Sequence, residues 1–177
     1  PLNNPLILHT DSLEKVFELF DIKNSVHQKR IETLAEAFWP GPLTMIARKA
    51  PHVPLEATGN LPTVGVRIPR HHVSLAVMSQ LDFPLAMPSA NRSTRPSPTT
   101  AEHVFKTLDG SIDAVVDGNS CAVGIESTIV QIDSEQATIV RLGMITQAML
   151  EACLLEPVMD RTHETHERPL APGNAYL

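Results

Sequence analysis

The chain has 177 residues, 42% of them hydrophobic and 19% charged, enough for one core that buries roughly 70% of the unfolded surface without disulfide or metal staples. Aromatics make up only 4% and the formal net charge is −6, which exclude a single-strand nucleic-acid reader built on stacked rings and attachment to nucleic acid by bulk charge. The charge is uneven: residues 1–100 hold 10 basic and 8 acidic side chains, whereas residues 101–177 hold 4 and 12. An anion site must therefore draw on the first hundred residues or on single arginines.

Taken in chain order, Pro5–His9 is a short apolar run expected to be a buried strand. Asp11 or Ser12 is positioned to cap a helix running to about Asp21, with Leu13, Val16, Phe17 and Phe20 on one face. A second amphipathic helix is expected over 27–38, with Ile31, Leu34, Ala35 and Phe38 as its stripe. Trp39-Pro40-Gly41-Pro42 ends it. Leu43–Ala47 and Thr63–Ile68 read as strands, separated by a loop at 50–62. A helix follows at 72–81, then a short strand at 83–87 and a proline- and hydroxyl-rich loop at 88–98. Thr99-x-x-Glu102 has the capping-box spacing for a helix to about Leu108. Strands are expected at 114–116, 127–132 and 137–141, and Thr146 is placed to cap a last helix to about Leu154. Beyond Glu156 no period survives. The organisation expected is a catalytic domain over 1–155 and a linker-like tail over 156–177.

Early alternation of strands and helices, followed by clustered strands, predicts an α/β fold: a twisted open sheet of mixed direction with flanking helices. No run of 18 apolar residues and no signal peptide is visible, so the expected location is the cytoplasm. Cys121 and Cys153 have no metal-ligand spacing and are expected to be buried, reduced thiols. There is no P-loop, dinucleotide-binding glycine pattern or nucleophile elbow. His163-Glu164-Thr165-His166 is one residue too short for a zincin helix motif, and no metal site is expected.

Four places carry polar groups suited to chemistry. On a strand over Thr63–Arg67, Thr63 and Arg67 share a face, with Gly65 leaving room between them, and an arginine fork grips a carboxylate or phosphate. Pro88-Ser89-Ala90-Asn91 follows a strand's C-terminal end, a common ligand position. Gly124-Ile125-Glu126-Ser127-Thr128 brings hydroxyls into a strand behind a glycine. Arg141 is the only basic residue between 107 and 160. Each alone has an ordinary structural reading as a turn or an exposed strand-end charge. Together they describe a site that orients anions, with no nucleophile–base pair and no residue assigned as catalytic.

Six blocks then stand in a recognisable order: NPLILH (4–9), FWPGPLT (38–44), TVGVRIP (63–69), PSAN with RPSPTTAEHV (88–104), GIESTIV (124–130) and RLGMIT (141–146). They resemble the threonylcarbamoyl-AMP synthases, the YrdC-like family. APGNAY at 171–176 is similar to the linker of the two-domain members. The resemblance implies a concave basic cavity and an ATP-dependent reaction: L-threonine and bicarbonate form a carbamate that attacks the α-phosphate of ATP, releasing pyrophosphate. The threonylcarbamoyl-AMP product serves to modify the adenosine beside the anticodon of certain tRNAs. Magnesium is expected with ATP, and tRNA or a tRNA-modifying transferase complex is the implied downstream partner, with no membrane. By resemblance, His9, Arg67, Ser89 and Ser127 are threonine-binding positions. Thr63, Ser89, Asn91, Thr99, Arg141 and Tyr176 are the ATP-binding ones. His9, Thr99 and Tyr176 rest on resemblance alone.

The family's Lys-x-Arg before Pro-x-x-Asn-Pro-Leu is missing ahead of Pro1, so an opening segment is expected to be lacking. Leu142 stands where the family usually has Pro, and Thr94 where it has Gly. Two other readings compete: a carbamoyl-adenylate-forming domain of a metalloenzyme maturation protein, whose additional parts are absent here, and a non-enzymatic RNA-binding module, against which net charge and scarce aromatics weigh.

Overall fold

The aliphatic and β-branched runs condense into one seven-stranded sheet in the computed structural model, which describes residues 4–92 and 95–164. Its strands are β1 (Ile7–His9), β2 (Leu43–Arg48), β3 (Thr63–Arg67), β4 (Leu85–Ala86), β5 (Thr128–Ile132), β6 (Ala137–Arg141) and β7 (Val158–Asp160), in spatial order β4-β1-β3-β2-β5-β6-β7. The pairs β1–β3, β2–β5 and β6–β7 are parallel, while β1–β4, β2–β3 and β5–β6 are antiparallel. The sheet is thus mixed, with helices α1 (Leu13–Leu19), α2 (Ser25–Phe38), α3 (His72–Met78), α4 (Ala101–Leu108) and α5 (Gln147–Leu154) between its strands.

Period-2 alternation divides the strand residues between two faces. Leu8, Met45, Ala47, Val64, Val66, Val130, Ile132 and Ile139 pack into the main core with Val16 and Leu19 of α1, Ile31, Leu34 and Ala35 of α2, and Leu150 of α5. Ile7, Ile46, Ile129 and Val140 form a second, separate cluster. Arg30 of α2 locks the layer at one end: its Nε and Nη2 hold Glu156 at 2.5 and 3.0 Å, and its other contacts are the carbonyls of Asp133 and Glu135. Side-chain oxygens of Ser12, Asn24, Thr100 and Thr146 accept backbone N–H groups and start α1, α2, α4 and α5.

Several expectations are corrected. The cap of α4 is Thr100, not Thr99, because it is Thr100 Oγ1 that accepts the His103 N–H. The expected strand at 114–116 does not form: Val116 is 72% exposed, and no strand among the described residues pairs with the segment. The sheet continues past residue 155, where the tail was expected to begin, because Val158–Asp160 pairs with β6; three residues are too few to display a strand period. Cys121 is exposed and Cys153 half-buried, so neither thiol is the core residue expected. Among the described residues no helix is long and apolar enough to cross a membrane.

Candidate active site

Strand register gathers polar side chains into a row across the sheet. His9 closes β1 directly beside Arg67, which closes β3. The antiparallel β2–β3 ladder pairs Met45 with Val66, and one further step sets Thr44 opposite Arg67. Thr44 lies beside Ile129 in β5, and Ile129 beside Arg141 in β6. Ser127, two residues before Ile129, shares that residue's face. The row therefore runs His9, Arg67, Thr44, Ser127, Arg141, on the face opposite the helix-packed core.

Hydrogen bonds fix the row. Thr44 Oγ1 and Ser127 Oγ are 2.8 Å apart, and both residues are buried. Arg141 donates from Nε to the Ser127 carbonyl at 3.1 Å and from Nη2 to Ser127 Oγ at 3.0 Å, and its Nη1 lies 2.6 Å from Glu126 Oε2. Arg67 donates from Nε to the Gly41 carbonyl at 2.9 Å, while its two terminal nitrogens have no hydrogen-bond partner among the described residues. The strand entry is held from below: Thr128 Oγ1 donates to the Ile145 carbonyl at 2.7 Å and accepts from the Ile145 N–H at 3.0 Å. Only glycine fits at 143, where a Cβ would lie 2.5 Å from both Glu126 O and Thr128 N.

The electrostatics fit an anion. Burial, with repulsion from Arg141 second, holds the Arg67 pKa below the usual guanidinium value. Burial lowers Arg141 as well, with Glu126 opposing the shift. Two partly buried cations, of which Arg141 is ion-paired with Glu126, favour incoming negative charge. His9 is buried, and its pKa falls to about 4, first from burial and second from Arg67. It is neutral at pH 7. The Ile7 carbonyl lies 3.1 Å from Nδ1 and can only accept, so Nδ1 carries the proton and Nε2 remains an acceptor.

Thr63 is at the opposite end of β3 from Arg67. Because β4 runs antiparallel to β1, the chain leaves it toward that same Thr63 end and enters the loop that carries Ser89 and Asn91. Ser89 is exposed, and Asn91 Nδ2 donates to the carbonyls of Arg92 and Arg95 at 3.0 and 2.8 Å, tying its own loop. Asn91 Oδ1 is buried with no hydrogen-bond partner among the described residues. Thr99 Oγ1 is 3.4 Å from His103 Nδ1. Tyr176 lies outside the described residues. Gly65 is less open than expected, since a Cβ there would meet Thr44, Ile46 and Ile7 at 3.5–3.7 Å, ordinary contact distance.

Sequence reasoning missed Thr44, Glu126 as the Arg141 partner, and the Gly41 carbonyl under Arg67. A buried Thr inside the apolar run Leu43–Ala47 was the available signal for the first. Among the described residues no group of three or more His, Cys, Asp or Glu is placed to hold a metal ion. The row offers cations and hydroxyls, which do not suit a hard divalent cation.

The model of the Sua5–yciO–yrdC family, described as Telomere recombination, matches residues 1–143. The threonylcarbamoyl-AMP synthase of Bacillus subtilis (strain 168) is 37% identical over 178 aligned positions, covering 99% of this chain and 50% of that protein. The Schizosaccharomyces pombe threonylcarbamoyl-AMP synthase is 40% identical, covering 82% of this chain and 40% of its own length. The chain spans about half the length of such relatives. The crystal structure of P. abyssi Sua5 complexed with L-threonine superposes with a TM-score of 0.89 at 34% identity, covering 98% of this chain and 50% of that one. E. coli YciO, at 18% identity and a TM-score of 0.69, shares the fold. With most of its length matched by the family model, the chain belongs to the Sua5/YciO/YrdC family.

Proposed function

We propose that the protein of which these residues form the YrdC-like domain makes L-threonylcarbamoyl-AMP and pyrophosphate from L-threonine, bicarbonate and ATP. The observation that carries the reading is the polar row, in which the two terminal nitrogens of Arg67 have no hydrogen-bond partner among the described residues and Thr44, opposite Arg67 in the β2–β3 register, pairs with Ser127. The terminal nitrogens of Arg67 suit the threonine carboxylate, which accepts two parallel N–H bonds from a guanidinium. Neutral His9 offers an acceptor for an amine N–H without adding repulsive charge. The names of the relatives and the threonine complex of P. abyssi Sua5 support the same substrate.

In this reading the uncharged amine nitrogen of threonine and bicarbonate give a carbamate and water. A carbamate oxygen attacks the α-phosphorus of ATP, the bond to the β-phosphate oxygen breaks, and pyrophosphate leaves. The chain's own contribution is positioning and charge neutralisation. Arg67 and Ser127 hold the amino acid. Arg141 sits one strand over, where it adds positive potential toward the nucleotide. Thr63, Ser89, Asn91 and Thr99 lie toward the other end of the sheet or on the long loop after β4, and we assign them to ATP, with Ser89 also a candidate contact to threonine. Tyr176 is assigned to ATP on resemblance. Magnesium enters with ATP as part of the substrate rather than in a cage of protein ligands. The product is passed to the tRNA-modifying machinery, and the proposed place of action is the cytoplasm.

The test is pyrophosphate release by the full-length protein. Release is expected only when L-threonine, bicarbonate and ATP are all present; equal release without threonine would overturn the assignment.

A further inference from the structure

Thr44 sits in the middle of the polar row and is fully buried on β2. Its hydroxyl meets Ser127 Oγ at 2.8 Å, and Ser127 Oγ also accepts from Arg141 Nη2 at 3.0 Å. The two hydroxyls own two protons. One lies in the bond between them, whichever oxygen donates. The Arg141 N–H uses a lone pair on Ser127 and supplies its own proton. One O–H proton therefore remains without a partner among the described residues, and it belongs to a pair whose Thr44 stands opposite Arg67 in the β2–β3 register. A buried donor left over in this way costs stability unless a ligand accepts from it.

We propose that Thr44 is a positioning residue for amino-acid recognition: it clamps the Ser127 hydroxyl against Arg141 so that the Thr44–Ser127 pair presents one O–H donor to the carboxylate held by Arg67. The identity of that ligand as L-threonine rests on the proposed function above. Without Thr44, Ser127 keeps its Arg141 bond but its proton can swing to any acceptor, and the geometry that aims it is lost. The competing explanation is packing. The Thr44 methyl lies 3.5 Å from where a Cβ on Gly65 would stand, so a packing role would reside in the methyl group. The two roles therefore separate by atom: hydroxyl for positioning, methyl for packing.

Three variants of the full-length protein separate them, read by titration calorimetry with L-threonine and by the KM values of threonine and ATP. Thr44→Val keeps the shape and loses the hydroxyl; it is expected to weaken threonine binding about tenfold, the loss of one hydrogen bond to a charged group, with the ATP KM and the melting temperature little changed. Thr44→Ser keeps the hydroxyl and loses the methyl; it is expected to recover threonine affinity to within about threefold, since the donor pair survives. In a Ser127→Ala background, Thr44→Val is expected to add less than about twofold, because the residue it acts through is gone. Wild-type affinity in Thr44→Val, equal damage in Thr44→Ser, or full additivity with Ser127→Ala would each overturn the proposal while leaving the reaction assignment intact. A wild-type protein that fails to bind threonine at all would overturn both.

Discussion

The two faces of the sheet are built from the same strands by opposite rules. On one face Leu8, Met45, Val64, Val66, Val130 and Ile139 meet three helices, and nearly every side chain is apolar and shielded from water. On the other, a small apolar patch of Ile7, Ile46, Ile129 and Val140 ends in a row of two arginines, a histidine and two hydroxyls. The first face supplies the free energy that the second consumes: partly buried guanidiniums that repel each other are costly unless something negative joins them. This separation lets a site of strained charge sit on a rigid platform. It also says where substitutions should affect folding and where they should affect binding.

The largest expected effect is on the packed face. Leu34 is fully buried between α2 and the sheet, and Leu34→Ala is expected to lower stability by about 2–5 kcal/mol through lost transfer energy and a residual cavity. Thermal or denaturant unfolding measures it. Threonine affinity of the fraction that remains folded should not change, and a large change there would mean that the two faces are coupled.

The next effect tests whether the polar face costs stability as acid is added. His9 has a folded pKa of about 4 against an ordinary 6.5, so the unfolded chain binds a proton that the folded one refuses. Its contribution to stability is complete above pH 6.5 and is lost as the pH falls toward 4, reaching on the order of 3 kcal/mol. Burial shifts His27 of α2 in the same direction. Unfolding curves measured from pH 7.5 to 4 should show this fall, and His9→Asn should flatten part of it. A slope that survives unchanged in His9→Asn would assign it to His27 or to other groups.

How legible all this was in the sequence depends on what each feature needs. The helices and most strands were readable because period and caps are local: Asn24, Ser12 and Thr146 sit within a few residues of the groups they satisfy. Ala114–Val116 reads as a strand and is not one, since propensity says nothing about whether a partner edge exists. Val158–Asp160 shows the converse, a strand made by its partner. In the site, Arg67, Ser127 and Arg141 stood out by residue type and position. Thr44 did not, because its meaning comes from a register that joins residues 83 positions apart. The shift of His9 likewise depends on a neighbour that only β1–β3 pairing brings beside it.

On the polar face itself, Arg67→Lys is expected to raise the threonine KM and lower kcat/KM roughly 10- to 150-fold, the equivalent of about 1.5–3 kcal/mol for a hydrogen bond to a charged group. A lysine keeps the charge but cannot reproduce the fork. Stability should change little, since the cation that burial and Arg141 disfavour is still present in the variant. Steady-state kinetics with melting curves on the same preparations give both numbers. Unchanged threonine dependence would reduce Arg67 to a strand-end charge resting on the Gly41 carbonyl.

The smallest expected effect lies at the rim of the same row. Glu126 holds Arg141 Nη1 at 2.6 Å, but its side chain is 49% exposed, and ion pairs open to water contribute from nothing to about 1 kcal/mol. Arg141 also bonds the carbonyl and the hydroxyl of Ser127, so Glu126→Gln should leave the Ser127 hydroxyl where it is. The same change removes a negative charge from beside two cations, which strengthens the local positive potential. Affinity for anionic ligands should therefore stay level or rise by a factor of about two to three, well under 1 kcal/mol on the scale where 1.4 kcal/mol is tenfold, and the gain should shrink as salt screens the field. Calorimetry with threonine and with ATP at two salt concentrations resolves changes of this size. A marked loss of threonine affinity in Glu126→Gln would show that the carboxylate, rather than Ser127, keeps Arg141 in place, and the row would then need its rim as much as its centre.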